Sequence, residues 1–255
     1  MEDFNMIIGI HSIVCAMKNP DRNLYRLVCT EDALTDIKKE IDVPKSIIQM
    51  CSTHKVQEEA KSYFKKLNLD YHRVPSGVFL ICSELPVHDV TYLYNQLSEK
   101  DNLKILCLDQ ISDVHNAAAI LRTASFYGVD CVVVPDKKSF GLTPSFFRIA
   151  SGAAEYVPLV GVSKLTKTIT KLKSENVLCL ALSEHASGDL SSEAIAEHKK
   201  GLCIVLGKED VGISHAVMRL IDHHISLDSQ GAIKSLNVSI AAAVTMEKCF
   251  GKQQK

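Results

Sequence analysis

The sequence predicts an α/β protein with a mostly parallel sheet. From residue 104 onward, short runs rich in Val, Ile and Leu succeed one another, each apolar throughout rather than alternating, and amphipathic segments separate them. Strands buried on both faces read as continuous apolar runs, and the crossovers of a parallel sheet supply the helices that bury them. Length adds a second constraint. With 255 residues the chain exceeds one average core, which argues for one small and one larger domain. Hydrophobic residues make up 46% and charged residues 23%, so a core can form and disorder is not expected.

Taken in order, residues 24–30 (LYRLVCT) and 46–52 (SIIQMCS) read as strands. Residues 32–41 and 56–67 carry apolar positions at helical spacing, and 78–85 (VFLICSEL) closes a small α/β unit over 1–84. The polar stretch 86–102, closing on SEKDN, reads as a linker helix and turn, which places the linker at 85–101. The larger domain, 102–255, then runs KILCLD (104–109), a helix from 116, CVVVPD (131–136), TPSFFRIAS (143–151), YVPLV (156–160), a helix over 163–176, VLCLALS (177–183), GLCIVLG (201–207), a helix over 215–221, HHISLD (223–228) and a last helix over 235–250.

Several function classes fall away. A formal net charge of −1 is incompatible with a blanket basic surface, so any nucleic-acid contact must be a local patch. The nine cysteines form no CxxC and lie mostly inside apolar runs, which indicates core packing in a reduced, cytoplasmic compartment rather than a disulfide framework. No apolar stretch approaches the roughly 20 residues that span a bilayer, and no membrane partner is expected. The GxGxxG turn and the GxxxxGK[ST] loop are both missing, which disfavours a Rossmann dehydrogenase and a P-loop NTPase. Ten histidines yield no HExxH. The adjacent His223 and His224 read as structural residues on a strand, and no metal is expected.

Three segments carry the functional signal: NAAAILRTA (116–124), LGKEDVG (206–212) and SLNVSIAAA (235–243). Ligands on parallel sheets sit at the carboxyl ends of strands, and all three segments follow or flank strand ends. In the first, the alanines allow close helix packing, whereas Arg122 must find an anion or a rim, and Asn116 can present donors near it. In the second, Gly207 is the first residue off a buried strand, and Glu209 and Asp210 are turn carboxylates. In the third, Ser235 and Asn237 can cap the last helix, with Ser239 on its first turn.

Together these segments resemble the SpoU/TrmH family of RNA ribose methyltransferases within the SPOUT superfamily, and the resemblance covers nearly the whole chain. The family motifs N-x-G-A-I-x-R-T-A, L-G-x-E-G-x-G and S-L-N-V-S match residues 116–124, 206–212 and 235–239. The opening GIHSI (9–13) resembles the start of the small ribosomal-protein-like, RNA-binding domain in the branch that methylates large-subunit RNA. The resemblance implies a carboxyl-terminal trefoil knot, a homodimer, and S-adenosylmethionine as methyl donor to a ribose 2′-hydroxyl. A guanosine of large-subunit (23S) ribosomal RNA is the favoured substrate; transfer RNA, or a silent RNA-binding assembly role, is the alternative. It further implies that Gly207, Leu227 and Leu236 hold the cofactor through backbone groups, with Leu206 and Gly231 in the same wall. Arg122 would position phosphate and hydroxyl, Asn116 and Asn237 would orient ribose and arginine, and Glu209 and Ser235 would fix that network.

The chain departs from the family pattern at Val114, where proline is usual, at Ala118 and Asp210, where glycine is usual, and at Asp228 and Ser229, which replace proline and methionine. For RNA contacts, Lys164, Lys167 and Lys171 recur at helical spacing, and Lys18, Arg22 and Arg26 cluster near the amino terminus.

Overall fold

The computed structural model describes residues 4–137, 139–183, 200–227, 229–233 and 235–251. They form two compact units, one from Met1–Pro86 and Leu142–Tyr156, the other from Val87–Gly141 and Val157–Lys255.

The first unit contains β1 (Phe4–Ile8), α1 (Ile10–Lys18), β2 (Leu24–Cys29), α2 (Glu31–Lys38), β3 (Ile48–Met50), α3 (Thr53–Lys66) and β4 (Val78–Ser83). Its sheet has the order β1-β4-β2-β3, with β4 antiparallel to both neighbours and β2 parallel to β3. Thr30 and Ser52 cap α2 and α3 by accepting from Ala33 N and Lys55 N, which satisfies donors the helix itself cannot. Val56, Ala60 and Phe64, spaced four apart on α3, pack onto Met6, Ile8, Val28 and Phe79 of the sheet.

The second unit begins inside the stretch read as a linker. Val87–His88 form β5, an edge strand paired with β8, and α4 spans Val90–Glu99. Leu93 and Leu97 of α4 are buried in the larger core, so this segment is an integral part of that unit. There follow β6 (Leu103–Asp109), α5 (Val114–Phe126) and β7 (Cys131–Pro135), then α6 (Pro144–Ala150), which belongs to the first unit, and β8 (Leu159–Val162). The remainder is α7 (Leu165–Ser174), β9 (Val177–Leu182), β10 (Gly201–Gly207), α8 (His215–Met218), β11 (His223–Ile225) and α9 (Val238–Phe250). The seven strands lie in the order β11-β9-β10-β6-β7-β8-β5, and every neighbouring pair is parallel. β6 and β10 are buried almost end to end, as their unbroken apolar runs require. From β6 the chain winds through β7 and β8 to one side and returns to build β9 and β10 on the other. The β6–β10 seam is therefore a switch point, and pairing of Gly207 with Asp109 starts both outgoing loops at one level.

One expectation about RNA contacts is overturned. Arg22 is buried, so it is not part of an exposed basic cluster. Its Nε and Nη2 donate to Glu155 Oε2 and Oε1 at 3.0 and 2.8 Å, its Nη1 donates to Asn5 Oδ1 at 2.9 Å, and its guanidinium lies 5.5 Å from the Phe147 ring centre. The bidentate pair ties the segment around α6 into the first unit, because a buried guanidinium without its carboxylate is costly. Glu155→Ala should accordingly destabilise this unit by about 3–5 kcal/mol. A urea titration followed by circular dichroism would show it as a lowered midpoint; an unchanged midpoint would mean the pair contributes nothing.

Candidate functional site

At the switch point the three sequence segments meet on one carboxylate. Glu209 Oε1 accepts from Asn116 Nδ2 at 2.8 Å, from Asn237 Nδ2 at 2.7 Å and from Val238 N at 3.4 Å. Asn237 Nδ2 also donates to Asn116 Oδ1 at 3.0 Å. Each participant is held by its own element. Asp113 caps α5 and accepts from Asn116 N at 2.7 Å, which puts Asn116 one turn inside the helix. Asn237 caps α9, its Oδ1 accepting from Ser239 N at 2.9 Å and Ser239 Oγ at 2.6 Å. Glu209 thus faces the amino-terminal end of α9, where backbone donors and the helix dipole favour a negative charge.

The loop bearing Glu209 is tight for identifiable reasons. Lys208 N donates to Gly212 O at 3.1 Å and Gly212 N returns a bond to Lys208 O at 2.7 Å. Gly212 has φ +69°, and a Cβ on Gly207 would lie 2.3 Å from both Gly212 C and Ile213 N, so the first position has no room for a side chain and the second favours glycine's backbone. Asp109, a buried carboxylate at the end of β6, accepts from Ser214 N at 2.7 Å and anchors the far end of this loop. Sequence reasoning missed Asp109; its only mark was a carboxylate closing the apolar run KILCL.

Beside this network lies a cavity of about 880 Å³, lined by Leu206, Gly207, Glu209, Leu227, Ser235 and Leu236 among others. Val211, Ile233 and Leu236 expose 66%, 79% and 54% of their surface while forming its wall, an apolar slot open to solvent on the scale that takes a drug-sized ligand. His215, Met218 and His224 also line it. No motif pointed to them, and His224, expected to be structural, stands exposed and lines the cavity.

Three expectations require correction, and Arg122 stands apart from the network. Ser235 is at the cavity, but it makes no hydrogen bond among the described residues and takes no part in the Glu209 network. α9 begins at Val238, because Asn237 rather than Ser235 is its cap. Gly231 is exposed and does not line the cavity; Ser229 does, and its hydroxyl bonds the carbonyls of Gly231 and Ile233, folding the loop that bears them. Arg122 is exposed on α5, lines no part of the cavity and has no hydrogen bond or ion pair among the described residues. It lies six positions after Asn116, which at 3.6 residues per turn turns the two toward different sides of the helix.

Four of the thiols are held back from ionising. Burial pushes those of Cys29, Cys82 and Cys249 up to about 11, and Cys203 is raised by its bonds to Cys107 and Cys179 and by burial.

The sequence pattern of the SpoU rRNA Methylase family matches residues 104–247. The chain belongs to this family. Among its relatives, the 23S rRNA (guanosine-2′-O-)-methyltransferase RlmB of Shewanella oneidensis is 30% identical over 96% of both chains. A Staphylococcus aureus protein assigned to the TrmH family of tRNA/rRNA methyltransferases is 34% identical over 69% of this chain and 71% of its own. The same fold is seen in the SpoU methyltransferase AviRb of Streptomyces viridochromogenes, solved with AdoMet, at a TM-score of 0.72 and 15% identity over 96% of this chain and 88% of that one.

Departures from the SpoU motifs are accommodated. Val114 occupies the first helical position of α5, where proline is favoured but not required once Asp113 supplies the cap. Ala118 is fully buried, its methyl fitted into the packing of α5. Asp210 has no left-handed φ that would demand glycine, and its carboxyl, bonded by Lys208 Nζ at 2.9 Å, titrates below the usual range. Asp228 lies outside the described residues.

The loop geometry gives a direct test. Gly207→Ala should force the 208–212 turn apart and raise amide exchange at Gly212 at least tenfold, while amides in β6 keep their protection. Unchanged exchange at Gly212 would mean that the turn tolerates a Cβ there.

Proposed function

We propose that this protein transfers the methyl group of S-adenosylmethionine to a ribose 2′-hydroxyl in RNA, with a guanosine of 23S ribosomal RNA as substrate. The convergence of all three SpoU motifs on Glu209, at the rim of a ligand-sized cavity, carries the reading, and the full-length similarity to RlmB supports the substrate. The residues present suit the cofactor. Leu206, Leu227 and Leu236 offer apolar walls for an adenine, and Gly207 lets the main chain approach it. When bound, S-adenosylmethionine supplies an already activated methyl group on a sulfonium.

The chain's own task is alignment, a contribution that can reach about 7–11 kcal/mol. Asn116 and Asn237, fixed by Glu209, orient the ribose at the cavity rim. Arg122 holds the neighbouring phosphate and the attacking hydroxyl. A guanidinium carries donors and no acceptor, so Arg122 is a positioner, and the hydroxyl proton leaves through the substrate phosphate or water.

Arg122 reaches a cavity through a second copy of the chain. It shares one exposed stripe of α5 with Phe126, four residues on and 82% exposed, and α5 packs on α9, whose Ile240 and Val244 are also exposed. Covering this apolar face in a homodimer would carry Arg122 to the partner's cavity. The trefoil knot of the SPOUT type, the ribosomal-protein-like role of residues 1–84 in RNA binding and a cytoplasmic location belong to the same proposal; nine unpaired thiols suit a reducing compartment.

Labelled methyl transfer to separated RNA pools, with mapping of ribose methylation, tests the reaction. Arg122→Ala should lower transfer about a hundredfold or more with cofactor affinity unchanged; unimpaired transfer would remove Arg122 from the site. Labelling confined to transfer RNA would reassign the substrate. Mixed dimers of Arg122→Ala with a cavity-blocking Gly207→Trp chain should recover activity that neither homodimer has, and no recovery would place the arginine in its own chain's site.

A further inference from the structure

We propose that the groove between α7 and α8 binds the RNA backbone outside the methyl-transfer cavity. The inference rests on the RNA methyltransferase reading above. The groove, about 510 Å³, is lined by Thr166, Lys167, Thr170, Ala216, Arg219 and Leu220, without a single carboxylate. In a chain with 30 acidic and 29 basic residues, a surface free of acids is a local excess of positive charge, the feature that phosphate binding requires.

The neighbouring cations divide cleanly. Lys171 is paired with Glu175, and Lys173 with Asp222 at 2.8 Å. Lys164, Lys167 and Arg219 are exposed and have no carboxylate partner among the described residues. Lys164 is the residue at which the chain enters α7, three positions before Lys167. Arg219 Nε donates to His215 O at 3.3 Å, which holds the guanidinium against its own helix and leaves both terminal nitrogens for another acceptor. A fork of two donors suits phosphate oxygens, and Thr166 lies in the same wall.

Position supplies the link to catalysis. His215 and Met218 of α8 line the cavity, whereas Ala216, and Arg219 just beyond the helix, line the groove. An RNA strand with its target ribose at the cavity can continue across α8 onto Arg219 and Lys167. The apolar wall contributed by Leu220 and Ala216 contacts sugar rather than charge.

The test is the double variant Lys167→Glu/Arg219→Glu in the full chain, measured by fluorescence anisotropy on a 23S ribosomal RNA fragment at several salt concentrations. Affinity should fall at least tenfold, and the slope of log K against log salt should shrink by about 1.4 to 1.8, corresponding to two lost phosphate contacts. The KM for RNA should rise while kcat at saturating RNA and the affinity for S-adenosylmethionine stay unchanged. Equal affinity and an equal salt slope in the variant would overturn the proposal even if wild-type methyl transfer is intact. Absence of methyl transfer by the wild type would instead sink the catalytic reading, while the anisotropy measurement would still decide whether the groove binds RNA. Lys167→Ala/Arg219→Ala, with a smaller loss in the same direction, guards against damage from reversed charge.

Discussion

A single carboxylate oxygen holds three distant parts of this chain in register. Glu209 Oε1 takes hydrogen bonds from α5, from the residue capping α9 and from a free backbone amide of α9. Ionised carboxylates accept but do not donate, so one oxygen can gather several N–H groups without competition. Neither amide side chain has an equivalent choice: Asn116 and Asn237 each present one oxygen and one NH2, and their mutual bond fixes which way each is turned. The orientation of both amides therefore follows from Glu209, and so does the entry angle of α9.

That carboxylate can be placed only because the sheet is parallel and reverses its winding between β6 and β10. Pairing of Gly207 with Asp109 makes the two strands end together. Glycine at 207 then lets the loop fold back within contact of residues 212 and 213, and Asp109 secures Ser214. The loop is thus pinned at its middle by the motif residues and at its far end by a buried acid. A rigid strand pair and two fixed ends define the cavity wall, whereas its apolar side chains Val211, Ile233 and Leu236 remain largely uncovered. A slot of this kind gains from burying those side chains against a flat, partly apolar ligand, at roughly 25 cal/mol per Å² removed from water.

The sequence was most legible where local chemistry repeats. Continuous apolar runs gave the parallel strands, and the three motifs gave Asn116, Glu209 and Asn237, which do converge. It was least legible where long-range geometry decides. Val87–His88 is too short to show any period, and it becomes a strand only because β8 offers an edge. The segment around α6 has the same helical pattern whichever unit it joins, and bonds from Ser12 to the Phe147 carbonyl and from Arg22 to Glu155, each more than 130 positions apart, hold it in the first. Arg22 itself read as a surface cation because composition cannot reveal that a carboxylate and an asparagine will enclose it. Ser235 and Asn237 were equally plausible caps, and the contact with Glu209 decides between them.

Arg122 exposes the limit of reading one chain alone. A helix presents residues 116 and 122 to different sides, so the motif that contains both must serve two surfaces at once. One surface is built within the chain, since Asn116 meets Glu209. The other carries an exposed phenyl ring and a cation with no carboxylate partner among the described residues, and such a face gains by being covered. In the proposed homodimer, one helix would serve both the ligand site and the apolar contact face, and loss of the partner would remove an aligning cation while leaving the cavity whole. Binding of the methyl donor and transfer of its methyl group would then respond differently to dissociation, a separation that a site confined to one chain would not display.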